Sequence, residues 1–209
     1  MSRTDHLYMP DDNMESLYTS PNPLVRFVHV QRLEKIVDEM PSGNKLAVLD
    51  AGCGEGHLLQ MMHARHPDYS FYGADIMENA LEKCRARAPF ASCTKTDLDR
   101  LPFPDGFFDI IVCTEVLEHV FEYKNVLKEF SRVLKNGGTM IITHPNETNW
   151  TISRFLLGRR PIKVPDHVNA FNPREFSAVV GMQQEKQLNL PFGLPFMLSL
   201  TCLHKFTKK

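Results

Sequence analysis

Residues 45–57 read KLAVLDAGCGEGH, and this stretch decides the fold. After the lysine, four apolar residues have the length and composition of a short buried strand. The strand ends at the carboxylate of Asp50, and glycines follow at alternate positions, Gly52, Gly54 and Gly56. Glycine permits tight turns and close approach of backbone to ligand, and a helix beginning after such a loop presents free N–H groups. The stretch therefore predicts a site for a nucleotide-shaped ligand.

The composition is that of a globular domain with its own core. The chain has 209 residues, of which 43% are hydrophobic and 23% charged, and both fractions are ordinary for a globular protein. The net charge of −1 gives no bulk electrostatic attraction to nucleic acid or to a membrane surface. We therefore expect neither of those partners.

The cysteines and the N-terminal segment indicate a cellular location. Five scattered cysteines without a C-x-x-C pair predict free thiols in a reducing compartment and no metal site. The polar N-terminus does not resemble a signal peptide, and no run of about 18 apolar residues could span a membrane. A cytoplasmic location is the expectation.

Strands and helices alternate along the rest of the chain. Strands are expected at 46–50, 70–75, 91–94, 108–113 and 139–143. Helices are expected at 24–40, 57–66, 78–87, 123–135 and 173–180, with Asn136 and Gly137 capping the fourth. This alternation predicts a parallel sheet with helices on both faces. Two consecutive β-like runs, 184–190 and 198–206, lack a helix between them and predict a hairpin-like pair at the sheet edge, at least one strand of it antiparallel.

The spacing of the glycines distinguishes between ligands. A dinucleotide fingerprint is G-x-G-x-x-G, but here the order is G-x-G-x-G and His57 stands where the third glycine belongs. A phosphate-binding P-loop would continue with Gly-Lys-Ser/Thr, which is missing. The loop also has no lysine or arginine to offset a diphosphate. An acidic loop favours a ligand with an ammonium group and hydroxyls, such as S-adenosylmethionine.

Five segments in order carry a specific family resemblance. Residues 48–56 resemble motif I of class I S-adenosylmethionine-dependent methyltransferases, and 73–76 resemble motif II. Residues 97–109 resemble the segment near adenine, while 115–120 and 132–138 match the segments after strand four and before strand five. The subgroup includes ubiquinone/menaquinone C-methyltransferases, and the resemblance covers about residues 45–145.

This resemblance implies an α/β fold, a Rossmann-like three-layer sandwich. Its mostly parallel seven-stranded sheet has the order 3-2-1-4-5-7-6, with strand seven antiparallel. We expect one domain over residues 1–209, built from an N-terminal cap and helix (1–44), a cofactor-binding core (45–145) and a substrate-side segment with edge strands (146–209). The implied cofactor is S-adenosylmethionine.

The resemblance also implies particular cofactor contacts: Asp50, Gly52, Cys53, Gly54, Gly56, Asp75, Ile76, Asp97, Leu98, Thr114 and Glu115. A carboxylate such as Asp75 can accept two hydrogen bonds from a ribose diol. Ile76 would pack on adenine, while Asp97 and the Leu98 backbone would bind its polar edge. Two alternatives remain open: Asp50 binding only loop amides, and Asp75 capping the next helix.

Methyl transfer from a sulfonium needs a general base only when the nucleophile must lose a proton. His144 and His167 follow the strands in suitable positions, with Asp166 able to orient His167, whereas His119 is expected to serve packing. The acceptor is expected to be a small molecule.

An apolar cluster after strand five, with Tyr8 and Tyr18, indicates either ordinary core and lid packing or an apolar or aromatic acceptor whose anionic head would meet basic residues: Arg154, Arg159 and Arg160. The alternatives are a catalytically inactive cofactor-binding protein of the same fold and a dinucleotide-dependent oxidoreductase.

Overall fold

The computed structural model of the chain describes residues 14–158, 160, 167–176, 179 and 181–209. Seven strands form one sheet: β1 Ala47–Ala51, β2 Ser70–Asp75, β3 Ser92–Lys95, β4 Phe108–Thr114, β5 Leu134–Pro145, β6 Met182–Leu190 and β7 Thr201–Lys208. Their order is β3-β2-β1-β4-β5-β7-β6. Strands β1 to β5 pair in parallel, and β7 runs antiparallel to both β5 and β6. The predicted fold is thus confirmed.

Helices α1 Glu15–Tyr18 and α2 Pro23–Asp38 precede the sheet. Helices α3 His57–Arg65, α4 Glu78–Arg87, α5 Tyr123–Val133 and α6 Glu147–Leu156 lie between its strands along the chain. Three short 3₁₀ helices span Leu117–His119, Pro173–Phe176 and Phe196–Leu198. Among the helices of the described residues, none combines the length and the apolar character needed to cross a bilayer.

Two hydrophobic cores lie on the two faces of the sheet. Side chains alternate along each buried strand, so Val48 and Ile110 join the core with α2, α3 and α4. Leu49 and Ile111 join the other core, with α5. These two packed faces make the three-layer sandwich.

The end of α5 differs from the prediction. The helix ends at Val133, and Leu134 already has extended backbone and pairs with Phe108. The amides of Gly106 and Phe107 donate to the carbonyls of the last helical turn, at 2.9 and 2.8 Å. Because the loop before β4 satisfies these carbonyls, the predicted cap at Asn136 and Gly137 was wrong, and both residues belong to β5.

The segment after β5 holds the other differences. Helix α6 was not predicted, although Asn146 caps it by accepting from the Asn149 amide at 3.3 Å, and asparagine is a favoured residue there. Of the helix expected at 173–180, the structure has a 3₁₀ turn over Pro173–Phe176. Residues 177, 178 and 180 lie outside the described part of the chain.

Two buried histidines join β5 to β7. Nε2 of His144 lies 3.2 Å from Nε2 of His204, and both residues are fully buried. Nδ1 of His144 lies 3.1 Å from the Pro145 carbonyl, and Nδ1 of His204 lies 3.1 Å from Nε2 of Gln184. These contacts fit a neutral pair in which His204 donates to His144. Burial lowers the pKa of His144 to about 4 and that of His204 to about 3.

This pair predicts loss of stability in acid. The unfolded chain protonates its histidines near their ordinary pKa of 6.5, whereas the folded chain resists protonation down to about pH 4. The contribution of this pair to the free energy of unfolding should therefore be complete above pH 6.5. It should fall as the pH drops toward 4, because the unfolded state binds more protons. Urea unfolding of the wild type and His204→Leu across this range would measure it. The variant should be less stable at neutral pH but should lose less stability in acid; an unchanged pH slope would contradict the assignment.

Candidate functional site

The predicted glycine loop connects β1 to α3 at the edge where the parallel strands end. The amides of Gly52 and Cys53 donate to the Ala74 carbonyl at 2.7 and 3.1 Å. The Gly56 amide donates to the Cys53 carbonyl at 2.9 Å, so a tight turn precedes the helix. The loop is therefore fastened across the end of β2, with the Cys53 side chain inside the core.

All three glycines of the loop have positive φ, and Gly52 and Gly54 differ in their surroundings. Gly52 has φ +81°, and a Cβ there would lie 2.3 Å from Cγ2 of Val116. Gly54 has φ +49°, and no described atom lies within 4 Å of a Cβ built on it. Gly52 is thus required for packing, whereas Gly54 faces the open space that a ligand would use.

Two alanine variants separate these roles. Left-handed backbone costs a residue with a Cβ roughly 1–2 kcal/mol, and Gly52→Ala adds a clash with Val116. We expect Gly52→Ala to lower the free energy of unfolding more than Gly54→Ala does. Gly54→Ala should mainly weaken binding of S-adenosylmethionine. Chemical denaturation and calorimetric titration would measure the two effects; equal losses of stability would contradict this division.

Asp75 holds the loop from the end of β2. Its Oδ2 accepts from the Gly54 amide at 2.8 Å, and its Oδ1 accepts from the Met77 amide at 2.9 Å. Burial raises the pKa of Asp75 while these backbone hydrogen bonds oppose the rise. Each oxygen has a second lone pair. The carboxylate can therefore orient the start of the α4 segment and still accept hydroxyls.

Asp50 has no such partners. It is 1% exposed, and neither carboxylate oxygen has a hydrogen-bond partner among the described residues. Burial, with a contribution from the charge of Asp75, raises the pKa of Asp50 to about 8. Its predicted alternative role of binding loop amides therefore has no support in the hydrogen bonds of the described residues. A cationic ligand beside it would favour the ionised form.

The protonation of Asp50 predicts a pH dependence of cofactor binding. If the ammonium and sulfonium charges of S-adenosylmethionine favour ionised Asp50, binding releases a proton. The affinity should then rise with pH up to about 8 and level off above it. Asp50→Asn keeps the shape but cannot ionise, so it should flatten this rise. Titration calorimetry at several pH values measures both proteins, and an identical pH dependence in the variant would overturn the assignment.

The residues predicted to contact adenine lie along the same edge. Ile76 and Asp97 are half-buried, directly after β2 and shortly after β3. The Thr96 amide donates to the Asp75 carbonyl at 2.9 Å, which holds the segment with Asp97 beside the end of β2. The Leu98 side chain is 7% exposed and packs in the α5 core. Only its backbone is therefore available to a ligand.

A polar network lies at the ends of β4 and β5, on the side of the site opposite the strands β2 and β3. Thr114 Oγ1 lies 2.8 Å from Thr143 Oγ1, which donates to Glu115 Oε1 at 2.9 Å. Glu115 Oε2 pairs with the Arg32 guanidinium of α2 at 3.3 Å. Glu115 has φ +53°, an uncommon value for a residue with a Cβ that often marks functional sites.

Arg32 is a site residue that the sequence did not indicate to us, and Tyr18, which we expected on the acceptor side, interacts with it. Arg32 is 5% exposed, and its charge and hydrogen bond lower the pKa of Tyr18 against the larger effect of burial, which raises it. The sequence does contain a signal for Arg32. It lies with His29 in a stripe at helical spacing, between Val25 and Ile36, that is otherwise apolar, and buried arginines are rare unless paired.

The short helix after β4 brings further titratable groups together. His119 and His167 meet edge to face, with ring centroids 4.6 Å apart. Nδ1 of His167 lies 2.6 Å from Glu147 Oε1. Glu147, at the start of α6, thus holds His167, whereas the predicted partner Asp166 lies outside the described residues. Glu118, which precedes His119 in the short helix, is 1% exposed.

His144 is placed differently from His167. Its ring is fully buried and stacks on Phe176, with ring centroids 5.1 Å apart, while Phe171 lies beside it at 5.6 Å. Both of its nitrogens have partners. This placement favours a structural role for His144 and leaves His167, with His119, as the histidine pair at the site.

Known proteins resemble this chain in sequence and in fold. Residues 49–142 match the family model described as "Methyltransferase domain". A protein of Mycolicibacterium smegmatis, named as a "probable S-adenosylmethionine-dependent methyltransferase", is 30% identical over 70% of the chain and 55% of its own length. Demethylmenaquinone methyltransferase of Geobacillus stearothermophilus is 28% identical over 67% of the chain and 63% of its own length. The chain therefore spans little more than half the length of these relatives.

Solved structures agree with the fold. The crystal structure of a SAM-dependent methyltransferase from Aquifex aeolicus superposes with a TM-score of 0.69, at 16% identity, covering 94% of this chain and 99% of that one. At this identity the likeness shows the fold alone. Together with the family match over residues 49–142, it confirms the resemblance expected from the motifs.

Proposed function

We propose that this chain, in which residues 49–142 form a methyltransferase domain of the class I S-adenosylmethionine-dependent family, transfers a methyl group from S-adenosylmethionine to a small organic acceptor. The observation that carries the proposal is Asp50. A fully buried carboxylate without a hydrogen-bond partner among the described residues is costly, and it lies beneath a glycine loop with open space at Gly54. A cation bound there would compensate this cost.

The described residues divide between the two ends of such a ligand. Asp75, Ile76, Asp97 and the Leu98 backbone, at the ends of β2 and β3, would bind the ribose and adenine. At the other end, Arg32 and Tyr18 would bind the carboxylate of the methionine part. Asp50 and Glu115 would face its ammonium group. This division keeps every charge beside its opposite.

The protein's part in the reaction is mainly alignment. When bound, S-adenosylmethionine supplies an electrophilic methyl group on a sulfonium. The sulfur leaves as a neutral thioether, so its departure needs no acid catalyst. The glycine loop and Asp75 hold one side of the crevice, and Glu115 with Thr143 holds the other. Positioning of two reactants in a site that excludes water is a sufficient source of large rate enhancement. His167, held by Glu147, can accept a proton where the acceptor must lose one.

The acceptor is proposed to carry an apolar part. Helix α6 exposes Phe155 at 65% and Leu156 at 75%, and the 3₁₀ helix Phe196–Leu198 exposes Met197 at 83%. Nδ2 of Asn149 donates to the Met197 carbonyl at 2.9 Å, which joins the two helices, and Glu147 at the start of α6 holds His167. The relative that methylates demethylmenaquinone, by its name, is consistent with such an acceptor.

A paired substitution tests the cofactor site. Asp75→Ala removes a carboxylate at the ligand edge of β2, and hydrogen bonds to charged groups contribute about 1.5–3 kcal/mol each. We expect it to weaken S-adenosylmethionine binding about tenfold or more. Asp68→Ala removes an exposed carboxylate just before the opposite end of the same strand and should leave the affinity unchanged. Titration calorimetry measures both variants.

The reaction itself is tested with a methyl-labelled cofactor. The full chain, incubated with labelled S-adenosylmethionine and a metabolite extract, should transfer label to an organic product whose mass rises by one methyl group. Binding of NAD in place of S-adenosylmethionine would refute the proposal and favour an oxidoreductase. Binding of S-adenosylmethionine without transfer to any extract would favour the inactive binding protein.

A further inference from the structure

Three side chains at the acceptor side of the site have the arrangement of metal ligands. Glu118, His119 and His167 each offer one ligand atom, and these atoms all lie within 4.8 Å of one another. The bonds from a divalent cation to nitrogen and oxygen ligands are about 2.0–2.2 Å long. Small side-chain rotations would therefore let one ion contact all three.

Backbone contacts hold this group together. The amides of Val168 and Asn169 donate to the Glu118 carbonyl at 2.8 and 3.0 Å. Nδ2 of Asn169 donates to the carbonyls of Leu117 and Val120 at 3.1 and 2.7 Å. The residues after His167 thus close around the short helix of Glu118 and His119, and the meeting of the three side chains is part of the fold.

Glu118 is the group that requires a ligand. It is 1% exposed, and its Oε2 has no hydrogen-bond partner among the described residues. Burial raises the pKa of Glu118 well above the usual range, and the charges of Glu115 and Glu147 raise it further. A buried carboxylate close to like charges is costly without a counterion. Arg32 offsets part of this charge through its pair with Glu115.

His167 is oriented for coordination. Its Nδ1 lies 2.6 Å from Glu147 Oε1, so its Nε2 is the nitrogen left for a cation. A carboxylate that holds the far nitrogen of a histidine is the usual second layer of a metal site, because it fixes the ring and strengthens the ligand.

We propose that Glu118, His119 and His167 bind a divalent transition-metal cation. Two imidazoles and one carboxylate favour Mn²⁺, Fe²⁺, Co²⁺ or Zn²⁺ over Ca²⁺ and Mg²⁺, which prefer oxygen ligands. We had expected no metal because the cysteines lack ligand spacing, but these ligands contain no cysteine and come from two distant segments.

A second group of metal-ligand type, His144, Cys202 and His204, lies between β5 and β7. There each ring nitrogen already has a hydrogen-bond partner, and Sγ of Cys202 donates to Asn189 Oδ1 at 3.4 Å. That group is satisfied as a hydrogen-bonded core network, whereas Glu118 is not.

The cation indicates the chemical class of the acceptor, and this inference rests on the proposed function. A hydroxyl that binds a divalent cation loses its proton more easily. The hydroxyl oxygen then bonds to the methyl carbon as the carbon–sulfur bond breaks. Sulfur keeps the electron pair, and the proton passes to water rather than to His167, because Glu147 and the cation occupy both nitrogens of His167. The acceptor is therefore an alcohol or phenol, and the reaction is an O-methylation.

Cobalt binding tests the site independently of activity. Co²⁺ titrated into the chelator-treated full chain should bind one equivalent and give visible absorption bands from imidazole coordination. Glu118→Gln and His167→Gln should weaken this binding about 100-fold or more, since even indirect ligand partners contribute 10–100-fold. Glu122→Gln is the matched control, because Glu122 is exposed and lies just beyond the same short helix; it should bind Co²⁺ like the wild type.

Two measurements exclude loss of folding as the cause. Metal-free Glu118→Gln should unfold at a temperature no lower than that of the wild type, because glutamine matches the neutral carboxyl that the raised pKa of Glu118 favours without a metal. It should also still bind S-adenosylmethionine. Methyl transfer to hydroxyl acceptors should stop in chelator-treated wild type and return with Co²⁺ or Mn²⁺.

Other results would overturn the metal site. These are the absence of Co²⁺ binding, binding that survives Glu118→Gln but is lost in His204→Gln, or full methyl transfer in chelator. Failure of the proposed function is a separate result, in which the wild type does not bind S-adenosylmethionine at all.

Discussion

The parallel pairing of β1 with β4 opens the crevice around which the ligand contacts proposed for this chain are arranged. Asp50 lies opposite Val112 in this pair, so the glycine loop and the turn from Thr114 to Glu118 leave the sheet side by side. The chain continues from β1 to the α3 face and from β4 to the α5 face. Such a divergence opens a crevice at the carboxyl ends of the strands. This crevice is the place where a ligand can bind, because the diverging backbone leaves it open.

Charge gives this crevice its selectivity. Five carboxylates lie at or just after the carboxyl ends of β1, β2, β4 and β5: Asp50, Asp75, Glu115, Glu118 and Glu147. Arg32, which pairs with Glu115, comes from outside the sheet, from α2. A surplus of buried negative charge repels phosphates and favours cations. The proposed ligand with its ammonium and sulfonium groups, on one side, and the proposed metal cation, on the other, would each neutralise part of this negative charge.

The parts of this structure that could be predicted are those encoded by local patterns. The glycine loop and the strand endings at Asp50 and Asp75 were recognisable because motif and periodicity lie close together in the sequence, whereas the order of the sheet followed from the family resemblance. The end of α5 was not recognisable, because its carbonyls are satisfied by Gly106 and Phe107, which are remote in sequence. Arg32 was missed for the same reason, since tertiary contact alone brings it to Glu115 and Tyr18.

The position of β7 has a consequence for the order of folding. In sequence β7 follows β6, but in the sheet it lies between β5 and β6. Strand β6 therefore joins the sheet only through β7, either as a preformed β6–β7 hairpin or after β7 has docked on β5. The non-local pairing of β5 with β7 slows folding. The parallel strands β1 to β5, within residues 47–145, can assemble first, and the segment proposed to bind the acceptor would form last.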